Sequence, residues 1–190
     1  TLRSRGLGDV YKRQVIYLEG DALSEQIARY YVKRRGIPES NLQGIRMDSA
    51  KTSVSPGDFV VAKKSLDARL PESIQALALT WAAPYRVGCM GMSAAFSYGY
   101  NIQYCADGCR PTRTTPYFHS SSVRPFDDFG IRPAMMLAAN SFKQAKQVID
   151  RGVKSDGTLP MGKMVLLATS YKSRSVREVF YEDMEKQFSG

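Results

Sequence analysis

Histidine is almost missing from this chain: His119 stands alone in 190 residues, with one tryptophan, Trp81, and three cysteines, Cys89, Cys105 and Cys109. A metal site could therefore draw on at most a Cys₃His set, and the cysteine spacing lacks the paired C-x-x-C knuckles that zinc favours. No metal is expected. No apolar run approaches the roughly 20 residues needed to cross a bilayer, so no membrane span is expected. No G-x-G-x-x-G or Walker loop occurs either. The first strand-to-helix turn, Glu19-Gly20-Asp21-Ala22-Leu23-Ser24, has one glycine and two acids, which would repel phosphate. No NAD or ATP cofactor is expected. Basic residues are scattered, without a run of five or an aromatic-interleaved pattern, which argues against nucleic acid as a partner.

What is present is ordinary for a globular protein. Hydrophobic residues make up 43% and charged residues 24%, so the chain can bury a core and is not disordered throughout. Thr1 to Gln14 differs in texture and resembles translated sequencing-adapter DNA, a known contaminant of metagenomic assemblies. Such a segment is left out of fold reasoning. Without it Lys+Arg falls from 27 to 23 and Asp+Glu from 18 to 17, so the net charge drops from +9 to +6. On this reading the true N-terminus is missing, and residues 15–190 are a single, incomplete α/β domain.

Alternation of strand and helix signals runs along that domain. Val15-Ile16-Tyr17-Leu18 reads as a buried strand. Asp21 then caps a helix carrying Leu23, Ile27, Tyr30 and Tyr31, which Gly36 and Pro38 end. Leu42, Ile45 and Met47 predict a second strand ending near Asp48. Ser55, Pro56 and Asp58 form a helix start ahead of Phe59, Leu66 and Leu70. Ile74 to Leu79 is apolar throughout, as in a strand covered on both faces. Residues 87–131 look irregular, with one short helix candidate from Ser93 to Tyr98 and Ser93 as its cap. Ala134 to Ala139 and Met164 to Ala168 read as further strands. Ser141 caps one intervening helix, and Ser175 with Glu178 forms a capping box for the last, with Val176, Val179, Phe180 and Met184 inward. The expected fold is three-layer α/β, Rossmann-like or flavodoxin-like, with a mainly parallel sheet, helices on both faces and a long irregular insertion.

Open parallel sheets bind ligands beyond the carboxyl ends of their strands. That rule selects Glu19 to Asp21, Asp48 and Ser49, Thr80 to Arg86, Asn140 and Thr169 to Tyr171. Asp21, Asp48, Thr80, Trp81, Tyr85, Arg86 and Asn140 are the ligand-binding candidates. Arg86 leads them, because a guanidinium can fork onto a carboxylate or phosphate; a structural pair with Asp21 or Asp48 is its alternative. A catalytic reading would use Ser93, Asp107 and His119, which fall in hydrolase order around the elbow-like Gly91-Met92-Ser93, or a cysteine with His119. Caspase-like peptidases place their histidine before the catalytic cysteine, whereas here every cysteine precedes His119.

Ala28-Arg29-Tyr30-Tyr31, Arg35-Gly36-Ile37-Pro38-Glu39-Ser40-Asn41-Leu42, Ala78-Leu79-Thr80-Trp81 with Pro84-Tyr85-Arg86-Val87, Arg132 to Ala139, Ile149 to Val153 and Ser155 to Thr158 together resemble an uncharacterised bacterial protein family of unknown function. Its members often look exported. The resemblance implies a periplasmic or extracellular protein and, with export, one disulfide among Cys89, Cys105 and Cys109 plus a free thiol. It carries no catalytic residues to transfer. Two functional readings stay open: a domain binding a small molecule or protein, and a peptidase-like or esterase-like hydrolase.

Overall fold

Side-chain caps fix where the long helices begin in the computed structural model, which describes residues 10–106, 111–158, 165–170 and 175–188. Asp21 accepts from the Ser24 amide and starts α1 (Ala22–Arg35), and Ser55 accepts from the Asp58 amide ahead of α2 (Pro56–Asp67). Ser141 does the same for α5 (Phe142–Lys154) through the Gln144 amide. Each satisfies an amide that the first helical turn leaves without a carbonyl. Gly36, at φ 62°, supplies the left-handed residue that closes α1.

The strands between these helices are short. They are β1 (Arg13–Leu18), β2 (Leu42–Ile45), β3 (Ser53–Val54), β4 (Ala76–Leu79), β5 (Arg86–Val87), β6 (Met90–Gly91) and β7 (Ala134–Met136). The main sheet has the order β2-β1-β4-β7, with every pairing parallel. Central β4 is buried along its whole length, as the continuous apolar run demands. Ile16, Leu18, Leu77 and Leu79 join Phe59 and Leu66 of α2 and Phe96 of α3 (Met92–Tyr98) in one core. Val15 and Ala78 meet Ile27, Ala28 and Tyr31 of α1 and Ala145 and Ile149 of α5 in another. Helices therefore cover both faces, which is the three-layer α/β fold with a mainly parallel sheet. Strand β1 begins at Arg13, so it takes in the last two residues of the adapter-like segment and pairs them with Ala76 and Leu77.

Several local expectations are corrected. The 87–131 segment is less irregular than its composition suggests: with Arg86 it supplies β5 and β6, then α3, and later α4 (Pro125–Phe129). A second sheet, β3-β5-β6, gathers there. Gly91, not Ser93, is the N-cap of α3, because β6 runs straight into the helix and puts Ser93 inside the first turn. Strand β2 stops at Ile45, well before Asp48, and β7 is only three residues long.

The chain divides into two compact units at Gly157/Thr158. In the second, Met164 lies outside the described residues and Val165 to Ala168 forms no strand. Among the described residues, side chains meet the backbone here: Tyr181 donates to the Leu167 carbonyl at 2.6 Å, and the Thr169 amide donates to Ser175 Oγ at 3.0 Å. With its hydroxyl engaged by Thr169, Ser175 caps no helix. A 3₁₀ turn (Glu178–Phe180) precedes α6 (Tyr181–Phe188), and Val176, Val179 and Phe180 are exposed, not inward.

Candidate functional site

Strand order alone selects a place on the sheet. From β1 the chain crosses to β2 on one side, and from β4 it crosses to β7 on the other, so the adjacent ends of β1 and β4 form the topological switch point. Here the crevice is filled from within. Thr80 is fully buried, with Oγ1 3.1 Å from the Ile16 carbonyl and 2.9 Å from the Ser24 carbonyl. Asp21 is occupied as the α1 cap. Trp81 is buried, donates Nε1–H to the Pro84 carbonyl at 2.9 Å, and meets Phe96 edge-on. These three residues build the floor of the edge and present little to a ligand.

The open part of the edge lies to the side, where β3 and β5 add a second layer. Ser53 is in register with Arg86 and Val54 with Val87. Residues in register on a parallel pair point to the same face. Val54 and Val87 face the core, so Ser53 and Arg86 share the outer face. Arg86 is exposed, and its guanidinium forms no hydrogen bond or ion pair with any described residue. The expected alternative, a pair with Asp21 or Asp48, does not occur. Tyr85, half exposed, is held beside the same strand by its amide, which donates to the Thr52 carbonyl at 3.1 Å.

Ser53 also lines a cleft of about 420 Å³ with Arg46, Met47, Asp48, Lys51 and Asp58. Three of its four charges are matched by ions, and among the described residues the Asp58 carboxylate is held only by a hydroxyl. Asp48 accepts from the Ala50 amide at 3.0 Å and pairs with Lys51 at 3.3 Å, and the amide bond first, then Lys51, holds its carboxyl below the usual range. Arg46 pairs with Glu19 at 2.7 Å, and Asp58 accepts from the Ser55 hydroxyl at 2.7 Å. Arg86 is a cation beside this cleft whose charge no described residue offsets. Asn140 belongs to the other end of the rim, past β7, where its amide donates to Gln144 Oε1 at 3.2 Å. Arg46, Lys51 and Ser53 were not singled out by the sequence, because a two-residue strand has no periodicity to show.

His119 is exposed, sits at φ 60° and packs against Phe118 with the two rings tilted and their centroids 4.1 Å apart. It hydrogen-bonds to no described residue, Ser93 included. Cys89 and Cys105 are joined in a disulfide with Cα atoms 5.4 Å apart, so neither offers a thiol. Cys109 and Asp107 lie outside the described residues, as does Tyr171 at the end of the Thr169 rim. Among the described residues no cluster of three metal-ligating side chains occurs, and no helix is long and apolar enough to cross a membrane. No family model, curated protein or solved structure matches the chain.

Proposed function

We propose that this is an exported bacterial domain that binds a small anionic ligand, a carboxylate or phosphate, at the rim formed by Arg86, Tyr85 and the Asp48–Lys51 cleft. The uncompensated Arg86 guanidinium carries this reading. An exposed arginine gains little from staying unpaired, whereas a planar fork of donors beside a cleft suits a carboxylate or phosphate. Asp48 is already held by Lys51 and the Ala50 amide, so it does not compete with an incoming anion for Arg86. The Cys89–Cys105 bond supports export, since such bridges persist in oxidising compartments. The resemblance to an uncharacterised bacterial family belongs to the same reading.

Isothermal titration of the full chain with phosphate, citrate and succinate tests it. At least one should bind saturably at low salt, and Arg86→Ala should weaken that binding about tenfold or more, the worth of one charge-assisted contact. Equal binding by wild type and Arg86→Ala would remove the site.

A further inference from the structure

Away from the sheet rim, the turn after α3 assembles a group of tyrosines that strand topology does not foreshadow. Gly99, at φ 80°, ends α3 directly after Tyr98 and lets the chain reverse. Asn101 then caps a 3₁₀ turn through the Gln103 amide, which brings Tyr104 back onto Tyr98 with ring centroids 4.7 Å apart. The disulfide at Cys105 ties this returning segment to the β5–β6 hairpin. The tyrosines line a cleft of about 630 Å³ together with α2 residues Val60, Lys63 and Lys64 and with Phe129 and Arg113. That volume falls within the range of small-molecule sites.

Its chemistry is one-sided. Lys63 is matched by Asp67 at 2.6 Å, and the second Asp67 oxygen is buried out of reach. Lys64 is exposed and has no partner among the described residues. The Arg113 guanidinium lies over the Tyr104 ring at 5.8 Å and, among the described residues, otherwise donates only to the neutral Gln103 side-chain oxygen at 3.0 Å. Two cations are thus left uncancelled around an aromatic wall. The Tyr98 and Tyr104 hydroxyls hydrogen-bond to no described residue, and burial pushes the Tyr98 phenol pKa up, keeping it a donor. Acceptors are scarce: the Ser97 hydroxyl is already held by the Ser93 carbonyl at 2.8 Å and the Ala134 amide at 2.9 Å.

We propose that this cleft binds a small organic carboxylate with a flat aromatic body, its ring against Tyr98 and Tyr104 and its carboxylate between Lys64 and Arg113. Ring faces supply apolar area with directional edges, and the two cations supply the charge-assisted bonds. This site is separate from the Arg86 rim and does not depend on it.

The test titrates 1-naphthoate and its neutral counterpart naphthalene-1-carboxamide into the full chain by calorimetry, with NMR to follow the tyrosine rings. Naphthoate binds saturably and the carboxamide at least about tenfold more weakly, since it lacks the charge. The double variant Lys64→Gln/Arg113→Gln, altered only at exposed positions, weakens naphthoate about tenfold and leaves the carboxamide as in wild type. Arg86→Ala leaves naphthoate binding unchanged. The proposal is overturned by no saturation below about 10 mM, by equal affinity for acid and amide, by wild-type binding in the double variant, or by loss of binding in Arg86→Ala.

Discussion

The hydroxyls of Ser24 and Thr80 lie 3.3 Å apart beneath the switch point, one from the first turn of α1 and the other from the end of β4. Ser24 Oγ accepts from the Leu18 amide at 2.9 Å, so the helix start is fastened to the strand that precedes it. Both side chains are buried. Ser24→Ala therefore leaves a buried amide without an acceptor and should lower the unfolding free energy by about 1–3 kcal/mol. Thr80→Val keeps the volume and leaves the Ile16 carbonyl its bond from the Thr80 amide, while the Ser24 carbonyl loses a donor and the Ser24 hydroxyl a partner, so it should cost about 1 kcal/mol. Urea titrations with an unchanged m-value would check both; a Ser24→Ala midpoint equal to wild type would mean that the amide finds another partner.

Those hydroxyls also show where a sequence reading stops. The residues that start and end helices were legible, because Asp21, Ser55 and Ser141 act within their own turn. The apolar run of β4 was legible because both faces of a central strand are covered. Candidate ligand residues were harder. Thr80 and Trp81 stand where the strand-end rule points, yet their polar atoms are satisfied internally, a fact fixed by Ser24 and Pro84 and not by local pattern. Arg86 was visible as a charge, but its freedom depends on Asp48 being held by Lys51. The tyrosine cleft stayed hidden because its residues meet only through the turn at Gly99.

Helices α1 and α5 are joined by a pH-sensitive contact. Asp150 accepts from the Tyr30 hydroxyl at 2.7 Å and from Arg34 at 2.7 Å, and these bonds, Tyr30 first, hold its carboxyl below the usual range. A carboxyl whose folded pKa is lowered stabilises the fold at pH above its unfolded value, and that contribution fades as pH falls through the folded pKa. Asp150→Asn should thus be less stable than wild type at pH 6–7, with the gap constant down to about pH 5 and closing below about pH 4. Thermal melts of the two proteins from pH 7 to 3 measure it. A gap that persists unchanged at pH 3 would assign the effect to packing against Phe142, which meets Tyr30 edge-on, instead of charge.

Gln14 is the sharpest mismatch between a residue and its surroundings. It is fully buried in β1, and alternation along the strand puts it on the face of Ile16 and Leu18 in the larger core. Neither its amide nitrogen nor its amide oxygen has a hydrogen-bond partner among the described residues. Burying an amide without a partner costs about 1–3 kcal/mol, while leucine has nearly the same volume and no polar atoms. Gln14→Leu should therefore raise the unfolding free energy by about 1–3 kcal/mol, and Gln14→Glu should lower it, because a carboxylate there must be charged or protonated at its own expense. Chemical denaturation of the three proteins decides the matter. Equal midpoints for glutamine and leucine would show that water reaches the amide, and that the first residues of β1 are less tightly enclosed than their neighbours Val15 and Ile16.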